Sequence, residues 1–91
     1  MLITLDEAKL YLHIDSTDED SVITGFIETA EKLCMNIARV DEAGLLASKE
    51  TARIAELYAV AYLYENRENA DFGGLTSMLR TLLFGIRKDA F

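Results

Sequence analysis

The sequence contains no proline, no tryptophan, one cysteine, one histidine and only five glycines in 91 residues. Without proline and with so little glycine it is poorly supplied for the many corners of a β-sandwich, and helices are expected instead. A lone cysteine closes no intramolecular disulfide, and Cys34 with His13 falls short of a four-ligand zinc set. Basic residues are also scarce: nine Lys/Arg stand against sixteen Asp/Glu, a net charge of −7. Binding to nucleic acid irrespective of sequence needs clustered cations that displace counterions, and there is no such cluster. The longest apolar run, Leu57–Tyr64, has eight residues, against the ~20 that a membrane helix requires. The opening residues carry neither a basic segment nor a long apolar one, so no secretory leader is expected and a product of the cytoplasm is.

What is present is a globular composition, 51% hydrophobic and 27% charged, in a length that suits one helical domain over residues 1–91. The charge is unevenly spread. Residues 1–31 hold eight acids and only Lys9, while residues 32–91 balance eight acids with eight bases. The whole deficit therefore lies in the N-terminal third, which suits a basic partner surface or simply keeps the monomer soluble.

The pattern predicts an all-α bundle of about four helices, short, long, long and short. Thr4-Leu5-Asp6-Glu7 reads as a capping box opening a helix over about 5–12, with Leu5, Ala8, Tyr11 and Leu12 inward. His13 is expected as a polar cap or a surface residue. A second helix over about 18–39 carries one apolar stripe from Val22 and Ile23 through Phe26, Ile27, Ala30, Leu33, Cys34, Ile37 and Ala38. Thr17 or Ser16 caps it, Asp18, Glu19 and Asp20 complement its dipole, and Glu28 and Glu31 stand on the wet side. Residues 40–48 form a connector in which Gly44 breaks helix and Leu45-Leu46 tuck back. Ser48 caps a third helix, about 49–66, with Ile54, Leu57 and Tyr58 inward. Its Leu57–Tyr64 stretch is apolar on every side and must be covered twice, as the central helix or against another subunit. Phe72-Gly73-Gly74 is expected as a flexible joint before a short last helix, about 77–84. Thr76 or Ser77 would cap that helix, Met78, Leu79, Leu82 and Leu83 would face inward, and Gly85 would end it.

Chemical motifs are weak. An EF-hand loop starting at Asp15 would put Asp20 where glycine is needed and Phe26 where a bidentate glutamate is needed. Cys34 sits within the apolar stripe, where a thiol is inert. Gly73-Gly74 lacks the Lys-Ser/Thr of a phosphate loop. Every acid is expected on a solvated face or a cap, so no carboxyl is nominated for general acid work and no enzyme or cofactor is indicated. Tyr58, Tyr62, Tyr64 and Phe72 lack interleaved cations and read as core or subunit contact rather than a stacking platform. Glu65-Asn66-Arg67-Glu68 directly follows the most apolar helix. There Asn66 can end the helix while Arg67 pairs with a carboxylate to direct the next segment.

Two blocks carry a family resemblance. The first is Ile3-Thr4-Leu5-Asp6-Glu7-Ala8-Lys9 with Tyr11-Leu12, Ile14-Asp15 and Asp18-Glu19-Asp20. The second is Ala61-Tyr62-Leu63-Tyr64-Glu65-Asn66-Arg67-Glu68, followed later by Leu82-Leu83 and Arg87. In order and spacing they resemble the small head–tail connector proteins of long-tailed bacteriophages, also labelled putative DNA-packaging proteins. Members commonly carry a proline before the last helix, where this chain has Phe72-Gly73-Gly74. The resemblance implies a ring-forming, non-catalytic protomer of the virion neck, made in the host cytoplasm. Its partners would be copies of itself, the portal protein and the tail-proximal proteins, with DNA passing through the channel without sequence-specific binding and no membrane involved. The charge asymmetry fits head-to-tail contacts between neighbours, acidic N-terminal third to the basic Arg80, Arg87 and Lys88. Candidate interface residues are thus Asp18, Glu19, Asp20, Tyr62, Tyr64, Glu65, Asn66, Arg67, Glu68, Arg80, Arg87 and Lys88. A helical interaction or regulatory module with no ring is the alternative.

Overall fold

The computed structural model describes residues 2–84 and contains five helices, with no strand among the described residues. They are α1 (Leu5–Leu12), α2 (Asp20–Ala38), α3 (Glu42–Ala47), α4 (Lys49–Glu65) and α5 (Phe72–Leu82). Helix α1 starts with the expected capping box: Glu7 N–H donates to Thr4 Oγ1 at 3.1 Å and Thr4 N–H to Glu7 Oε1 at 2.9 Å. It ends at His13, which caps it in the left-handed region at φ 62°. Ala8 is buried and Leu5 and Leu12 are half-buried, but Tyr11, expected inward, is 51% exposed.

The α2 stripe is buried at Ile23, Ile27, Ala30, Cys34 and Ala38. Val22, at the stripe's edge, is exposed. The helix begins at Asp20 rather than near residue 18, and neither Ser16 nor Thr17 caps it. Glu19 holds the N-cap position without a capping hydrogen bond, because its carboxylate is engaged by Tyr64 of α4 and by Arg67 just beyond it.

The connector over 40–48 contains a helix that the sequence reading missed. Asp41 caps α3 by accepting a hydrogen bond from Gly44 N–H at 3.0 Å. Gly44 does not break the helix. A Cβ there would lie 2.4 Å from Val40 Cβ, so glycine is what permits the turn to close against Val40. Leu45 is buried as expected, whereas Leu46 is exposed.

Helix α4 is central: it packs on α1, α2, α3 and α5. Ser48 occupies its N-cap position without a side-chain bond. Its closest partnership is with α2, where small residues line the buried faces, Ala30, Cys34 and Ala38 on α2 and Ala52, Ala55 and Ala59 on α4. Small side chains allow the two axes to approach closely. No residue of Leu57–Tyr64 is exposed, so packing within one chain already covers the apolar run. Ile54, expected inward, is 62% exposed.

The last helix starts five residues earlier than the spacing suggests. Phe72-Gly73-Gly74 is its first turn, not a joint, and neither Thr76 nor Ser77 caps it. Asp71 does, accepting from Gly74 N–H at 3.1 Å, and this cap offsets the poor helix propensity of two glycines. A Cβ on Gly74 would meet Asp71 Oδ2 at 2.9 Å, so the same glycine makes room for the cap. Leu75, Leu79 and Leu83 recur every four residues and are fully buried, whereas Met78 lies outward. Gly85, Arg87 and Lys88 lie outside the described residues.

Candidate interaction surface

The structure joins the two sequence blocks through Glu19. Tyr64 Oη donates to Glu19 Oε1 at 2.6 Å, and Arg67 Nη1 donates to Glu19 Oε2 at 2.7 Å. The Arg67 guanidinium also lies 4.9 Å from the centroid of the Tyr64 ring, a cation–π contact. Hydrogen bonding from Tyr64, then from Arg67, holds the Glu19 carboxyl below its ordinary value, and the same bond raises the Tyr64 phenol. Glu19 is thus an anchor for the segment after α4.

Tyr62 directs that segment further. Its hydroxyl accepts from Asp71 N–H at 2.9 Å and reaches Asp71 O at 3.3 Å, holding the residue that caps α5. Asn66 terminates α4, with its backbone N–H and its Nδ2 both donating to Tyr62 O at 3.0 Å. Tyr62, Tyr64, Asn66, Arg67 and Glu19 therefore set where α5 begins.

The remaining candidates are placed differently. Asp20 pairs with Lys9 of α1 at 2.8 Å. Asp18, Glu65 and Glu68 are exposed, as is Arg80 on α5. Arg80 lies with Ser77, Thr81 and Phe84 around a shallow depression at the end of that helix. Glu7 pairs with Arg53 of α4, and its carboxyl is lowered by the Thr4 N–H first and Arg53 second. Of the eight acids in residues 1–31, Glu7, Glu19, Asp20 and Glu31 have partners within the chain. Only part of the acidic third is thus free for another surface.

All four tyrosines of the chain line one groove between the end of α1 and the C-terminal half of α4. Tyr11, Tyr58, Tyr62 and Tyr64 form its walls with Leu12, His13, Ala61 and Glu65, around a volume of 460 Å³. Surfaces rich in tyrosine present large, rigid, amphipathic contact area suited to a protein partner.

Two acids depart from the expectation that every carboxylate is solvated. Glu31 is buried and accepts from Leu2 N–H at 3.1 Å. Glu56 is fully buried, and neither of its oxygens has a hydrogen-bond partner. Burial, then the neighbouring Glu31, pushes the Glu56 carboxyl up to about 8. Burial also pushes the Cys34 thiol up to about 12, with Glu56 and Glu31 adding to the shift. The signal was legible in the spacing: Glu56 falls in register with Ala52, Ala59, Val60 and Leu63, and Glu31 with Ile27, Cys34 and Ala38. Glu56 does not line the tyrosine groove or the depression at the end of α5, and the described residues hold no group of three or more side chains able to bind a metal ion. No helix among them is long and apolar enough to cross a membrane.

No curated protein and no solved structure matches the chain. The sequence profile of the phage gp6-like head-tail connector proteins matches residues 2–87, nearly the whole chain and both blocks joined by Glu19. This helical chain belongs to the phage gp6-like head-tail connector protein family.

Proposed function

We propose that residues 1–91 act as one connector domain that assembles into a ring, docks on the portal vertex and extends the DNA channel towards the tail. The observation that carries this reading is the family match over residues 2–87. Exposed charge of both signs supports contact between copies: Asp18 in the acidic N-terminal third, with Glu65 and Glu68 after α4, and Arg80 on α5. A contact between unlike surfaces repeats from copy to copy and closes into a ring when the rotation allows. DNA would pass without base-specific contact, since an acidic protein offers few cations to release counterions. The role is structural. Among the described residues, the carboxyl pushed far up, Glu56, is sealed in the core rather than presented to a substrate. The site of action is the virion neck, after synthesis in the host cytoplasm. The groove of four tyrosines also suits an interaction module with no ring.

Native mass spectrometry over a wide concentration range, with negative-stain imaging, separates the two readings. The connector reading expects one dominant closed stoichiometry, weakened when Arg87 and Lys88 are both changed to Glu while the helical spectrum is retained. A monomer throughout, unchanged by added portal protein, would overturn it.

A further inference from the structure

The tyrosine groove is open in the single chain, and the segment leaving α5 has the complementary chemistry. Its walls are aromatic and its polar lining includes the exposed carboxylate of Glu65. The nearby cation, Arg67, is already engaged by Glu19 and Tyr64. An occupant should therefore bring apolar side chains together with positive charge. The chain supplies this sequence itself: Phe84, 69% exposed, is followed by Gly85, Ile86, Arg87 and Lys88.

Geometry favours a neighbouring copy over the same chain. Helix α5 follows its cap Asp71, which Tyr62 holds beside the groove, and its eleven residues carry the chain about 16 Å away before Phe84. Residues 85–88 span about 13 Å fully extended. Folding back would need more than that for the return alone, leaving nothing of this stretch to lie in the groove of its own chain. A second copy is free of this limit.

We infer that residues 84–88 of one copy occupy the Tyr11–Tyr58–Tyr62–Tyr64 groove of the next, with Ile86 among the rings and Arg87 and Lys88 towards Glu65. This deepens the ring reading above, on which it rests, by naming the two surfaces that meet. It also covers Tyr11, which packing within one chain leaves exposed.

Disulfide trapping between two full-length chains tests it. One chain carries Ala61→Cys in the groove and the other Ile86→Cys, mixed under oxidised glutathione, with peptide mapping of the products. Glu65→Cys at the exposed rim serves as the second groove variant should Ala61→Cys perturb folding. The native Cys34 is buried with its thiol pushed up to about 12, so it stays silent. The expected result is a link between positions 61 and 86 that is lost at low salt when Arg87 and Lys88 are both changed to Glu, or, with the Glu65 carboxylate gone, a link between positions 65 and 86. Absence of both links, or a 61–86 link indifferent to that reversal, overturns the docking. Wild-type rings without the link would remove this contact and leave the connector reading standing. The link without rings or portal binding would support the docking and remove the connector reading.

Discussion

Two carboxylate clusters lie where α2 meets α4, and their chemistry runs in opposite directions. At one end Glu19 receives a phenol and a guanidinium at the surface, and its carboxyl is lowered. Twelve residues along α2, about 18 Å, Glu31 faces the fully buried and unpartnered Glu56, whose carboxyl is pushed up to about 8. The helices run antiparallel, so both clusters join the same two elements. The difference teaches that position on a helix pair does not decide the protonation state of an acid. Partners and access to water do. The satisfied cluster specifies where the chain goes after α4, whereas the unsatisfied one opposes folding whenever it is ionised.

Ile27 is buried on α2 between the two clusters, so Ile27→Ala should loosen the helix packing on which both depend. Chemical unfolding should show a loss of about 2–5 kcal/mol.

Glu56→Leu sharpens the contrast by removing one cluster. The folded carboxyl titrates near 8 and the unfolded one near 4.5, so the fold binds more protons between those values. The stabilising contribution is fully present below about pH 4.5 and is lost as pH rises through 8. Glu56→Leu should therefore stabilise the protein at pH 8 by about 2–4 kcal/mol and flatten the fall above pH 5. Urea titrations at several pH values would check this, and an unchanged slope would refute it.

Tyr64→Phe and then Arg67→Ala probe the other cluster, with smaller effects because the site is exposed. Glu19 has a lowered carboxyl in the fold, so its contribution is present above the ordinary value of 4.5 and is lost as pH falls through the folded one. Both variants should be mildly destabilised at pH 7 and show a shallower loss in acid, Tyr64→Phe more than Arg67→Ala. Together the clusters put the stability maximum of the wild type on the acid side of neutrality, at about pH 5.

Much of this was legible in the residues. Thr4 and Glu7 announced α1, and the Ile23–Ala38 stripe announced α2, because a single periodic face leaves few alternatives. The errors fell where short polar side chains override propensity. Asp41 starts α3 through a segment containing Gly44, and Asp71 starts α5 through Gly73 and Gly74. Arg67 was expected to pair with a carboxylate, but nothing in the spacing named Glu19, 48 positions away. Glu31 and Glu56 were hidden for a different reason. Charge suggested solvent where the heptad-like register of their neighbours already placed them inside.

Electron microscopy of the protein mixed with portal rings from the same phage would test the connector role most directly. The account predicts an added ring of helical density coaxial with the portal and prolonging its channel. Portal particles unchanged in outline, with this protein left monomeric in solution, would contradict it.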